Sequence, residues 1–271
     1  RRHTRFRNVT GVQTCALPIC YAGPNIVLAA AGNVDHPRLV QALRRRRAGV
    51  PGRGSARVRR PAARPPRASV RFHRKTTEQY HVCLAAPGIR RDDPRRYTSA
   101  LLDAILGGSA SSRLFQEIRE KRGMAYAVYS YGAHYVDAGQ VGIYVGTREE
   151  NLGECVEVIA AELDDLRAGN VRDAELARAK ENMKGRLLLS LESTSSLMTR
   201  LGKALVTGTA ITPIDEVERG IAAVTPEDVA ALASDLYAPG RISVAGIGPS
   251  ERRFRSAVAQ LDSGQIGRVH V

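Results

Sequence analysis

From Glu78 onward the apolar and polar positions fall into short, well-separated periods. Gln79 to Ala86 alternates around Tyr80, Val82 and Leu84, which predicts a half-buried strand. Asp93-Pro94 supplies an N-cap and a proline for the first helical position, so a helix is expected through Tyr97, Leu101, Ile105 and Leu106, stopped by Gly107-Gly108. Ser111 or Ser112 can cap the next helix, which carries Leu114, Phe115 and Ile118 and ends where Gly123 turns left-handed. Ala125 to Tyr135 and Gln140 to Thr147 read as two strands, and Asp137-Ala138-Gly139 between them predicts an antiparallel hairpin. Thr147 and Glu150 have capping-box spacing ahead of the clearest helix in the chain. There Leu152, Val156, Ile159, Leu163 and Leu166 share one face at steps of four and three. Another helix is expected from about Arg172 to Leu191, broken near Ser193 and resuming through Leu205. Thr225-Pro226-Glu227-Asp228 opens a helix with Val229, Leu232 and Leu236.

One pattern occurs twice. Tyr237 to Gly248 (YAPGRISVAGIG) echoes Tyr21 to Gly32 (YAGPNIVLAAAG) without a gap. Each copy reads as a turn, an apolar strand, a glycine and a helix-like run ending at Leu43 or Leu261. The repeat implies two copies of one domain that end at these points, with only the tail of the first present. The expected organisation is a non-native or disordered tail over 1–20, a remnant of a first domain over 21–43, an Arg/Pro-rich linker over 44–69, a complete second domain over 70–262 and a short tail over 263–271. The fold class expected for the second domain is α+β, an antiparallel-rich β-sheet packed on helices.

Charge changes this picture less than its total suggests. The net charge is +14, which invites a nucleic-acid reading. Residues 1–75 hold 18 of the 41 Lys and Arg residues and a single acid, Asp35, leaving 23 basic against 26 acidic side chains in the rest. The part that carries the periodic elements is therefore mildly acidic. The Arg-rich stretch over 44–75 has too few large apolar residues to offset its ordering entropy and reads as a solvated linker. A polyanion-binding arm and a local reading-frame error are its alternatives. Val9 to Ile19 (VTGVQTCALPI) resembles a translated sequencing adapter and is set aside. No run approaches the roughly 20 apolar residues a bilayer span needs. Cys15, Cys20, Cys83 and Cys155 form no C-x-x-C pair; Cys83 and Cys155 lie in apolar-periodic segments and read as buried, reduced thiols of a cytoplasmic, bacterial protein.

Candidate chemistry is sparse. The six histidines are His3, His36, His73, His81, His134 and His270, and no two are four apart, so neither H-E-x-x-H nor H-x-x-E-H occurs. Three converging zinc ligands with an open position are not visible, and no metal ligand is assigned. The G-G-S-A-S-S-R run is neither a Walker loop nor G-x-S-x-G; it reads as a helix–helix turn with hydroxyl caps.

Leu106 to Tyr131 (LGGSASSRLFQEIREKRGMAYAVYSY) resembles the C-terminal-domain signature of insulinase-type (pitrilysin-type) zinc peptidases, of the bacterial and mitochondrial processing-peptidase kind. A glycine-rich turn precedes S-S-R-L-F and then R-E-K-x-G-x-A-Y. Thr77-Glu78-Gln79 with His81, and the run Asn25 to Leu43, are similar to further parts of that family. The Arg-rich stretch departs from it.

The resemblance implies a zinc ion and a general-base glutamate on an H-x-x-E-H helix of a preceding N-terminal domain, neither of which lies in this sequence. It also implies that the second domain closes a chamber over peptide substrates and contributes an arginine and a tyrosine seven residues apart, here Arg119 and Tyr126. Arg119 would hold a substrate carbonyl, and Tyr126 would donate a hydrogen bond to an oxyanion. Without the resemblance, Arg119 reads as a solvated helix charge near Glu120 and Tyr126 as a half-buried strand residue. The expected function is thus the chamber half of a zinc metalloendopeptidase, inactive alone. Its expected partners are an N-terminal peptidase domain in the same protein or in a partner subunit, as a homo- or heterodimer, and peptide substrates. A natural non-catalytic partner subunit and an Arg-rich nucleic-acid binder are the alternatives.

Overall fold

A computed structural model describes residues 23–46, 67–259 and 261. The tail over 1–20, most of the linker over 44–69 and the tail over 263–271 lie outside those residues, as do Cys15 and Cys20. The chain divides into two compact units.

The smaller unit joins 23–46 to 188–211. Its first helix, α1 (His36–Arg46), is capped by Asp35, whose Oδ1 accepts the Arg38 amide at 3.0 Å. The repeat predicts a strand just before α1. Residues 26–31 are instead in no ladder, because no described strand lies beside them to take up their backbone hydrogen bonds. Ile26, Leu28, Leu188, Leu189 and Leu205 of this unit are exposed, and neither α1 nor the helix over Thr194–Thr207 has a buried residue.

The larger unit holds a five-stranded sheet in the order β1-β5-β2-β4-β3. The strands are β1 (Val70–Arg74), β2 (Tyr80–Gly88), β3 (Ala125–His134), β4 (Gly139–Thr147) and β5 (Ser243–Gly248). Only β1 and β5 run parallel; the other pairs are antiparallel, including the predicted β3–β4 hairpin. Strand β1 corrects the reading of 44–75 as solvated linker: Val70 and Phe72 alternate with the exposed Arg71 and His73, but five residues at the end of an Arg-rich run are too short a period to stand out.

Helices α2 (Arg96–Leu106), α3 (Leu152–Arg167), α7 (Pro226–Leu236) and α8 (Glu251–Val258) cover one face of the sheet. Between α3 and α7 run α4 (Asp173–Leu191), α5 (Thr194–Thr207) and α6 (Ile214–Ala222). The predicted stripe of α3 is fully buried against Val82, Leu84, Ile143 and Val145. Each such side chain contributes roughly 1.5–3 kcal/mol of hydrophobic stabilisation. The Tyr80 ring is buried at the head of β2, where its hydroxyl donates to Glu149 Oε2 at 2.8 Å and accepts the Ser250 amide at 3.1 Å. Two glycines of β5 make room for rings: a Cβ on Gly246 would lie 2.3 Å from Phe254, and one on Gly248 2.4 Å from Tyr80.

Local signals hold in part. The Thr225–Asp228 capping box forms, Ser193 caps α5, and Gly123 is left-handed at φ 61°. Three expectations shift. Helix α2 starts at Arg96 because Asp93 folds back on the Arg95 amide in a turn. Thr147 caps nothing; its hydroxyl donates to Met124 O at 2.6 Å, and a 3-10 turn over Glu149–Asn151 leads into α3. Cys155 is buried, but Cys83 is only half-buried, because alternation along β2 turns it to the helix-free face.

Candidate functional site

The signature segment is built around close contacts. A Cβ on Gly107 would stand 2.3 Å from Ser130 N, so the turn after α2 can press against edge strand β3 only as glycine. Asp103 ties the two elements: its Oδ1 accepts the Ser130 hydroxyl at 2.5 Å, while its carbonyl accepts the Gly107 and Gly108 amides. The serines do not cap the next helix by accepting its amides. Ser112 instead donates its hydroxyl to Ser109 O at 2.5 Å, and Ser109 donates to Ala104 O at 3.2 Å. The run is therefore a steric junction, with its hydroxyls directed at carbonyls.

Arg113 follows, buried and fully engaged. It forms a bidentate pair with Glu175, both bonds at 2.8 Å, and reaches Asp165 Oδ2 at 2.7 Å and Asn170 O at 2.6 Å. This anchors a π-helix over Phe115–Glu120. The π register is a local feature that recurs at functional sites. Its wider turn carries the Lys121 amide to Gln116 O, and the left-handed Gly123 sends the chain into β3.

Arg119 and Tyr126 meet across that turn. The Arg119 guanidinium lies 4.8 Å from the Phe115 ring centre and 4.7 Å from that of Tyr126, and it donates to Tyr126 O at 3.1 Å. Glu120 approaches only to 3.7 Å, in an exposed and therefore weak pair. A β-bulge between Ala125 and Ala127 re-aims Tyr126, which is 79% exposed. Its hydroxyl has no hydrogen-bond partner among the described residues. Arg119 retains further N–H donors beside it.

Further along β3, the helix-free face of β3 and β4 carries an aromatic wall absent from the sequence-based expectation. Tyr129 stands 5.1 Å from Tyr144 and 6.3 Å from Tyr131, ring to ring. His81 Nδ1 shares a 2.7 Å hydrogen bond with Tyr144 Oη, and Cys83 Sγ one of 3.4 Å with Tyr131 Oη. The thiol contact and burial push the Tyr131 phenol up to about 12. Tyr131 lies flat over Gly142, whose Cβ would come within 2.4 Å of its ring. The available signal was Tyr129 and Tyr131 at a two-residue step, on a strand whose neighbour has glycines opposite.

The described residues do not form a zinc site. Among the described residues no three His, Cys, Asp or Glu side chains are grouped so as to hold a metal ion. His81 faces Tyr144 and His134 faces Ile89 O, each without a second ligand. No helix among the described residues is long and apolar enough to cross a membrane.

An antiparallel-rich sheet, helices on one side and the glycine-turn signature at its edge define a peptidase-like α+β domain. The chain belongs to the peptidase M16 family: the model described as the peptidase M16 inactive domain matches residues 19–183. This is the insulinase-type family of metallopeptidases that the signature resembles. An uncharacterized zinc protease of Streptomyces coelicolor is 40% identical over 254 residues, which cover 88% of this chain and 54% of that protein. An uncharacterized zinc protease of Bacillus subtilis is 44% identical over 182 residues, covering 65% of this chain and 44% of that protein. A solved peptidase M16 inactive domain from Pseudomonas fluorescens superposes with a TM-score of 0.76 at 27% identity, covering 90% of this chain and 58% of that one. The chain spans about half the length of the curated relatives it matches.

Proposed function

We propose that this chain is the non-catalytic, peptide-holding half of a zinc-peptidase-like protein, with residues 70–262 as the domain that faces the substrate and 21–43 as the end of a preceding one. Zinc would reside in that preceding peptidase domain, in the same protein or in a partner subunit. The chain alone would not cleave peptides.

The observation that carries this reading is the arrangement of Arg119 and Tyr126. Two rings and one carbonyl hold the guanidinium in place, so its remaining donors are pre-organised rather than solvated at random. The Tyr126 hydroxyl stands beside it in the open. Together they offer two directional donors on the same strand that bears the aromatic wall, which suits the carbonyls and side chains of an extended peptide.

The test is fluorescence anisotropy with a labelled, unstructured 20-residue peptide. Arg119→Ala, which removes both the charge-assisted donors and the ring contacts, should weaken binding about tenfold, or ~1.4 kcal/mol. Tyr126→Phe keeps the ring and should weaken it about three- to fivefold. Wild-type affinity in both variants would remove the pair from the function. Cleavage of the peptide by the chain alone would remove the non-catalytic assignment.

A further inference from the structure

A cavity of about 350 Å³ opens on the helix-covered side of the larger unit, between α2, α4, the end of α7 and the far end of the hairpin. None of Arg119, Tyr126 or the tyrosines of the aromatic wall lines it. Two hydroxyl-bearing residues on its lining, Ser99 and Tyr237, are buried, each 5% exposed. Neither has a hydrogen-bond partner among the described residues. A buried phenol without a partner is costly, and such groups in a native protein call for water or a ligand to satisfy them.

The cavity also keeps opposite charges apart. Asp103 is half-buried, with Oδ1 taken by Ser130 and no ion pair among the described residues. Burial pushes its carboxyl above the usual range, while the Ser130 hydrogen bond and the nearby Arg186 act in the other direction. Arg186 and Asn182 stand exposed at the rim on α4, and Arg186 is likewise unpaired among the described residues. His134 Nδ1 bonds to Ile89 O at 2.9 Å; a carbonyl only accepts, so Nδ1 carries the hydrogen, and in that tautomer Nε2 is the acceptor. A Cβ on Gly132, which lines the cavity, would lie 3.2 Å from that Nε2. A half-buried acid and an acceptor nitrogen thus face a rim arginine across a space that Met183 and Leu236 make partly apolar.

We propose that this cavity binds a free α-amino acid with a medium-sized apolar side chain. The ammonium would pair with Asp103 and donate to His134 Nε2, the carboxylate would take Arg186 and Asn182, and the Tyr237 hydroxyl would gain its missing partner. Neither a simple amine nor a simple acid satisfies both ends. The site is separate from the peptide-holding face and stands whether or not that face binds peptides.

Isothermal titration calorimetry of the chain with L-leucine tests it. L-leucine should bind with a Kd of about 1 mM or tighter, and isoamylamine and 4-methylpentanoate, which each lack one charge, at least ~10-fold more weakly. Asp103→Asn and Arg186→Ala should each cost ~10-fold or more in affinity. Arg186 is exposed, so that variant keeps the fold intact. Tyr237→Phe should weaken binding several-fold without lowering stability, since its hydroxyl has no protein partner to lose. No saturable heat at about ten times the expected Kd, equal binding of isoamylamine, or unchanged binding in Arg186→Ala would overturn the proposal.

Discussion

The two faces of one sheet obey different rules. On the helix-covered face the side chains are aliphatic, fully buried and interchangeable in kind: Val82, Leu84, Ile143 and Val145 meet the stripe of α3. On the open face they are tyrosines, a histidine and a thiol, joined to one another by ring contacts and single hydrogen bonds over glycines that let the rings lie flat. The first face uses area removed from water and is explained by stability alone. The second leaves large amphipathic groups partly exposed, an arrangement that stability does not require and that recognition uses.

The same division runs through one segment of the signature. Arg113 and Arg119 are six positions apart; the first is buried with every donor engaged, and the second sits at the surface between two rings. The largest expected effect comes from the buried one. Arg113→Ala leaves Glu175 buried without its cation and should cost about 3–5 kcal/mol in urea denaturation. A loss under about 1 kcal/mol would show that the pair is replaceable.

A smaller effect is expected inside the core face. Gly246→Ala drives a methyl into the Phe254 ring and should cost about 1–3 kcal/mol in the same assay, recovered in part by Phe254→Leu. Smallest is the open face. Tyr129→Ala should change stability by about 1 kcal/mol or less, since the residue is 46% exposed and loses mainly ring contacts. Its peptide affinity should nonetheless fall. A larger stability loss there would erase the distinction between the faces.

How far the chain could be read depended on whether the interaction was local. The α3 stripe, the Thr225 capping box, the hairpin and the Gly123 turn each rest on neighbours a few residues apart, and all are present. Helix α6 carries a local signal too, in Ile214, Val217 and Ile221 at steps of three and four. Strand β1 pairs with β5 more than 170 residues away, so its five residues carry little sign of their place. Which arginine of the signature is buried depends on Glu175, 62 positions on. Arg119 and Tyr126 came from the family resemblance; their contact across Gly123 came from the structure.

The most direct measurement is photo-crosslinking of an extended peptide bearing a single benzoylphenylalanine, with the adducts mapped by mass spectrometry. Adducts are expected on Tyr126, Tyr129, Tyr131 or Tyr144, and their yield should fall in Arg119→Ala. Adducts confined to the helix-covered side, or a pattern unchanged by Arg119→Ala, would contradict a peptide-holding open face.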